Sequence, residues 1–220
     1  MNNNSILTAS LFKSVPSELR ELFDVAEYPY EIIMRLRNFL EKIKLPDEFK
    51  ELREGIWVAD GARIANTAVI YPPTVICRNA EIRHCAFIRG SVYVGRGAVV
   101  GNSTEVKNSV LLDGAQVPHY NYVGDSILGC LSHMGAAAVT SNLKAVGGNV
   151  KIHGEEEIDT GLRKLGAMIG DGAEIGCGTV LNPGAVIGRK SVIYPLLSVR
   201  GTVPSHSIMK DASTIIDKIE

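Results

Sequence analysis

One spacing restricts this chain more than anything else in it. From Val58, aliphatic residues recur at every sixth position through Ile64, Ile70, Ile76, Ile82, Ile88, Val94, Val100, Val106 and Leu112. Four places after each of the first nine sits a small or β-branched residue, beginning with Ala62, Ala68, Thr74 and Ala80. A second series runs from Ile169 through Ile175, Leu181, Ile187 and Ile193 to Val199. Between the two the phase slips by one to Leu111, Val117 and Val123, and again to Leu128, Met134 and Thr140. A period of six is neither the 3.6 of a helix nor the 2 of an ordinary strand. It is the signature of a parallel β-helix, in which each unit is a short strand plus a turn and three units close one triangular coil. About twenty units predict roughly seven coils, and at ~4.8 Å per coil a prism about 34 Å tall.

Composition fits a narrow prism. Glycine is 22 of 220 residues and aromatics are 6%, against a background of about 7% for glycine. Glycine suits coil corners where φ is positive. A net charge of −1 with 21% charged residues gives no electrostatic footprint for nucleic acid or for an anionic membrane surface. The start at Met1-Asn2-Asn3-Asn4-Ser5 has no basic and apolar leader, and nowhere do 18 apolar residues run together, so a cytoplasmic protein is expected. The gaps between Cys77, Cys85, Cys130 and Cys177 contain no close Cys pair of the kind zinc or a dithiol favours, and reduced thiols are expected.

Three segments depart from the period. Residues 1–55 read as a helical cap: Ile32, Leu36, Phe39, Leu40 and Ile43 mark one helix face behind Pro29, Pro16 opens an earlier helix, and Phe49 with Leu52 fits a short third one. Its expected task is to cover the open end of the prism. The β-helix is expected over 56–208, and 209–220 as a short closing helix or tail. Within the prism the pattern fails over 142–165, which includes Glu155-Glu156-Glu157. So long an excursion is either a tolerated insertion or a wall of a site.

Arg89 and Lys107 are 18 residues apart, one full coil, and so should stack on one column. Such a pair suits an anion, phosphate above all, although stacked cations also form ordinary solvated ladders. His119 lies 12 residues past Lys107, two faces further round. A neutral imidazole there suits a general base, while a lone histidine is also commonly structural. The spacings of His84, His133, His153 and His206 do not supply a three-histidine zinc site.

The runs Gly101-Asn-Ser-Thr-Glu-Val-Lys107-Asn-Ser109, His119-Tyr-Asn-Tyr122-Val-Gly-Asp125-Ser-Ile-Leu-Gly129 and Thr140-Ser-Asn142 are more specific than a hexapeptide. They resemble the acetyltransferase half of the bifunctional glucosamine-1-phosphate N-acetyltransferase/N-acetylglucosamine-1-phosphate uridylyltransferase family. Arg163-Lys164-Leu-Gly-Ala-Met-Ile-Gly-Asp171, Leu181-Asn-Pro-Gly-Ala-Val-Ile-Gly188 and Ile193-Tyr-Pro195 are similar to its archaeal-type sugar-1-phosphate members. The resemblance covers about 56–208. It implies a left-handed parallel β-helix, a homotrimer with its site between subunits, and transfer of acetyl from acetyl-CoA to an amino-sugar phosphate, with no metal required. Position by position it makes His119 the general base and Asn142 the residue orienting amine or carbonyl. It places Arg89, Lys107, Tyr122 and Lys164 on the sugar phosphate, with Lys144 and Lys151 as competitors of Lys164, and sets Cys177 and Pro195 beside coenzyme A. The 55 residues before the repeats hold nothing like the family's nucleotide loop. Uridylyltransferase activity is therefore not expected, and a separate nucleotidyltransferase becomes a conceivable partner. His133 and Ala137 depart from the family's asparagine and glycine. They keep open an inactive sugar-phosphate- or nucleotide-sugar-binding or regulatory protein, and beside it another hexapeptide enzyme, an O-acyltransferase or a metal-dependent hydratase.

Overall fold

A computed structural model describes residues 3–154 and 156–219; Met1, Asn2, Glu155 and Glu220, which fall in the segments read above as cap, insertion and tail, lie outside the described residues. Short parallel strands pass in rotation through three sheets. Sheet A holds Ile56–Ala59, Thr74–Ile76, Val92–Val94, Ser109–Leu111, Ile127–Leu128, Met168–Ile169, Val186–Ile187 and Thr202–Val203. Sheet B runs from Arg63–Ile64 to Ser207–Met209, and sheet C from Val69–Ile70 to Ser198–Val199. The coils number about eight rather than seven, because 56–59 and 202–209 also pair as strands.

The aliphatic column fills the prism. Ile76, Ile82, Ile88, Val94, Val100 and Val106 are all inward and at most 2% exposed. After Val106 the next inward residue is Leu111, and Leu112 points outward among the helices, so the expected run of ten ends one short. The phase slip is a tightened corner between sheets C and A: Ser109 pairs with Val92 and Val110 with Tyr93, offsets of 17 rather than 18. Asn108 and Asp125 take positive φ of 44° and 50° at two such corners. Glycine is required where coils touch. A Cβ on Gly101 would lie 1.7 Å from the Pro118 carbonyl oxygen of the next coil.

Both faces of sheet A are apolar. Val75, Tyr93, Val110, Ile127, Met168 and Val186 point away from the prism and are buried under the N-terminal segment and the insertion. Helices α1 (Thr8–Leu11), α2 (Arg20–Asp24) and α3 (Pro29–Leu40) supply Leu11, Leu22, Phe23, Ile32, Ile33 and Leu36 to that layer. Each fully buried side chain of this kind contributes roughly 1.5–3 kcal/mol. The helices therefore cover a flank of the prism, where the sequence suggested its open end. The Tyr93 hydroxyl donates to Glu18 Oε1 at 2.8 Å, and Arg96 Nη2 donates to the same oxygen at 2.8 Å. Cys130 Sγ reaches the Ser14 carbonyl, and the Lys13 N–H donates to Asp171.

The ends are closed by strands, and both correct the sequence reading. Phe49–Arg53, expected as a third helix, pairs antiparallel with Ile56–Ala59. Ile215–Asp217, expected in a closing helix, pairs antiparallel with Ser207–Met209. A sheet's outermost strand offers unpaired N–H and C=O groups, and pairing satisfies them better than an adjacent helix would. The exposed Lys50, Glu51 and Arg53 then present charge at the new edge. The insertion contains an antiparallel hairpin, Lys151–His153 with Glu157–Asp159. No helix among the described residues is long and apolar enough to cross a membrane.

Two stability tests follow. Gly101→Ala should cost about 3 kcal/mol in denaturant unfolding, since backbone rather than a flexible side chain must yield. Burial pushes the Glu18 carboxyl up, but its backbone N–H, Tyr93 and Arg96 outweigh that and hold it below the ordinary carboxylate value. A depressed carboxyl stabilises fully above its unfolded pKa and loses that contribution as pH falls through its folded one. Acid titration followed by far-ultraviolet circular dichroism should show the helical layer weakening below about pH 4.5, with Glu18→Gln flattening the dependence.

Candidate functional site

Sheet C is the face that sheet A is not: its outer side is open. Val106 and Val123 point inward, so Glu105, Lys107 and Tyr122 point out by strand alternation, and Glu105 pairs with Tyr122 on the next coil. The Arg89 N–H donates to the Val106 carbonyl, which stacks Arg89 against Lys107 one coil apart, as the spacing of 18 requires.

The two cations do not stand free. Arg89 Nη1 donates to Glu105 Oε1 at 2.8 Å, and Lys107 Nζ donates to both Asp125 oxygens at 3.3 and 3.2 Å. Asp125 is 4% exposed and is the hub of the site. Asn108 Nδ2 donates to its Oδ1 at 2.8 Å, and Asn142 Nδ2 donates to its Oδ2 at 2.5 Å and to Tyr122 Oη at 3.1 Å. Burial first, then the Asp125 charge, raises the Tyr122 phenol above its ordinary value. The Asp125 carbonyl also accepts from Gly166 N–H, which ties the returning arm of the insertion to the same corner. Lys107, Asn108, Tyr122 and Asp125, from two successive coils, and Asn142, the insertion's first residue, thus form one connected polar surface.

His119 lies one corner away, at the end of Gln116–His119 in sheet B, three residues before Tyr122. Its ring is exposed, and no side chain holds it among the described residues. Its backbone is fixed by Asn121, which is 3% exposed: Asn121 Oδ1 accepts from His119 N–H, and its Nδ2 donates to the Gly135 and Ala138 carbonyls. The B–C corner is itself a column. Hydrogen bonds run from Ser103 N–H to His84, Tyr120 N–H to Asn102, Ala137 N–H to His119, Gly178 N–H to Ala136 and Leu196 N–H to Cys177. With Glu174 opposite Val192, Pro195 follows Cys177 in register. His119, Cys177 and Pro195 therefore share one exposed edge, with Ala136 between the first two.

Arg89, Lys107, Tyr122 and Asn142 converge on sheet C, and His119 with Cys177 and Pro195 lines the adjoining corner. Lys164 does not join them. It is exposed and bridges Leu143 through its backbone, next to Asn142, but its side chain makes no hydrogen bond or ion pair among the described residues. His133 Nδ1 pairs with Glu174 Oε2 at 2.9 Å on the outer face of sheet B. No group of three or more His, Cys, Asp or Glu that could hold a metal occurs among the described residues. The residues that sequence reasoning missed are Asp125, Glu105, Asn108 and Asn121. The signal for Asp125 was available, since it lies 18 positions after Lys107 and 17 before Asn142.

Residues 70–161 match the family model described as the GMPPB C-terminal domain. The bifunctional protein GlmU of Methanococcus maripaludis strain C5 is 30% identical over 208 residues, 91% of this chain and 51% of that protein. The bifunctional sugar-1-phosphate nucleotidylyltransferase/acetyltransferase of Sulfurisphaera tokodaii is 39% identical over 97 residues, 44% of this chain and 24% of that protein. The chain spans about half the length of the first of these curated relatives. Among solved structures, the acetyltransferase domain of PglB from Neisseria gonorrhoeae FA1090 aligns with a TM-score of 0.42 and 17% identity, over 80% of this chain and 59% of that one. The chain is a hexapeptide-repeat protein that resembles the C-terminal, acetyltransferase region of the bifunctional GlmU family.

Proposed function

We propose that this chain transfers the acetyl group of acetyl-CoA to the amino group of an amino-sugar phosphate of the glucosamine-1-phosphate kind. The observation that carries this reading is the polar surface of Lys107, Tyr122, Asp125 and Asn142, one corner from an exposed imidazole and its column. In the proposed reaction the His119 imidazole takes a proton from the acceptor amine as its nitrogen bonds to the thioester carbonyl carbon. The tetrahedral intermediate then expels the coenzyme A thiolate, which leaves as the thiol once protonated. Backbone N–H groups are suited to the oxyanion, and the step needs no metal. Arg89, Lys107 and Tyr122 face the sugar phosphate in this reading, with Lys164 at its margin, while Asn142 orients the amine. Cys177 and Pro195 border the pantetheine along the B–C corner. A homotrimer would bring a second prism against this edge and complete the site, and a separate nucleotidyltransferase could consume the product. The cytoplasm is the compartment proposed for this chemistry.

A second reading has its own support. Both cations are already neutralised by carboxylates, and no side chain among the described residues holds the His119 ring. A sugar-phosphate-binding protein without turnover needs no more than that. Thiol release from acetyl-CoA in the presence of glucosamine-1-phosphate separates the two. Wild type is expected to turn over, and His119→Ala should lower kcat by about 10²- to 10⁴-fold while leaving sugar-phosphate binding in place. Wild-type protein that binds the sugar phosphate and releases no thiol would establish the binding reading instead.

Asp125→Asn keeps the size of the side chain while removing the charge beside Lys107. The Tyr122 phenol should then titrate lower than in wild type, because a neighbouring anion that opposes its ionisation is gone. Ultraviolet difference titration of the tyrosines measures this. The KM for the sugar phosphate should rise about tenfold, because one of the two oxygens that accept from Lys107, Asn108 and Asn142 becomes an amide NH2.

A further inference from the structure

Beneath the inserted hairpin lies a groove of about 480 Å³ that no part of the proposed reaction uses. One wall is the edge of sheet C, from Ser141 through Asn182 to Arg200; the other is the insertion, with Lys144, Lys151 and His153. Its charge is unlike that of the Arg89 and Lys107 pair. There, two cations meet two carboxylates. Here, among the described lining residues, Lys144, Lys151 and Arg200 face one carboxylate, that of Glu157, on a chain whose net charge is −1.

The pairing within the groove leaves positive charge unspent. Glu157 is taken by Lys151 at 2.5 Å and by His153 at 3.2 Å. Asp159, the other acid of the Glu157–Asp159 strand, accepts from Gly161 N–H at 2.9 Å and acts on Lys151 and Lys144 only through space, and Glu156 in the turn is exposed. Lys144 Nζ donates to the Asn149 carbonyl, which satisfies one of its three protons, and it forms no ion pair among the described residues, meeting the Glu157 and Asp159 carboxylates only through space. Arg200 is exposed and has no hydrogen bond or ion pair among the described residues, and the Ser141 hydroxyl has no protein partner there.

The groove is also held in shape. Val150 and Ile152, on the hairpin, are 0% and 1% exposed within the layer that covers sheet A. The Thr202 hydroxyl donates to the His153 carbonyl at 2.6 Å, beside Arg200. A Cβ on Gly184 would lie 2.5 Å from the Lys151 carbonyl oxygen, so hairpin and coil are in close backbone contact. Leu143, Val146 and Pro183 add an apolar stretch to the lining, and Val146 is 90% exposed. Excess cations, a free hydroxyl and an apolar patch, with room for more than a lone ion, suit an anionic head on a small organic body.

We propose that this groove binds the phosphoryl group of a small phosphorylated metabolite, at a site separate from the Arg89 and Lys107 pair. The two sites share a wall: Ser141 and Leu143 line the groove, while Asn142 between them turns to Tyr122 and Asp125. The proposal does not depend on acetyl transfer and survives if the chain has no turnover.

Methyl-resolved nuclear magnetic resonance of the full chain, titrated with inorganic pyrophosphate, tests it. Saturable shifts are expected at the Leu143 and Val146 methyl groups. Arg200→Gln should weaken that binding about tenfold, the loss of one charge-assisted contact, with Arg200→Lys retaining most of it. Arg89→Gln should change it less than twofold. Arg200 is exposed and makes no hydrogen bond or ion pair among the described residues, so unchanged methyl signals elsewhere will verify the variants. Absence of saturable shifts at those two residues, a weakening by Arg200→Gln of less than threefold, or an equal effect of Arg89→Gln overturns the proposal.

Discussion

Everything in this molecule depends on one coil sitting in register on the next. Backbone hydrogen bonds join each short strand to its counterpart above and below, and no strand of two or three residues could stand without them. The inward column of Ile, Val and Leu keeps that register, because slipping by one residue would turn the aliphatic side chain to solvent. Register then does the work that tertiary folding does in other architectures. Residues 17 or 18 apart become touching neighbours, which is how Arg89, Lys107 and Asp125 come to share one surface.

The three sheets are equivalent inside and quite different outside. Sheet A carries an outward apolar row from Val75 to Val186 and is buried twice over; sheet C carries Glu105, Lys107 and Tyr122 and stays open. The N-terminal helices are thus the second layer that a two-faced sheet requires. Glu18 couples that layer to the prism through Tyr93 and Arg96, in a place where an unpaired carboxylate would be expensive.

The period revealed the prism, the glycine corners and the stacking of Arg89 on Lys107, since each depends only on spacing. Other features were hidden for physical reasons. The phase slip near Leu111 was visible, but its meaning, a corner one residue shorter, depends on which side chain turns inward. The outward row of sheet A sits one place from the inward row and was masked by it, so the helices were assigned to an end and not a flank. Phe49–Arg53 and Ile215–Asp217 are too short for a hydrophobic period to declare them, and only the unpaired edge beside them explains why they are extended. Asp125 was passed over because it pairs through space with residues a whole coil away on either side.

The insertion closes on itself where it leaves the prism. Leu143 bridges Lys164, Leu165 N–H donates to the Asn142 carbonyl, and Gly166 N–H donates to that of Asp125. The stem of the excursion is therefore fixed whatever its length, and the coil resumes in phase at Met168 and Ile169 opposite Ile127 and Leu128. Lengthening a closed loop is thermodynamically mild, about 0.6 kcal/mol for each doubling. The solenoid can thus carry hairpins of different size and charge at this one point without disturbing its own register. The wall beside sheet C is free to diverge while the prism that presents it stays the same.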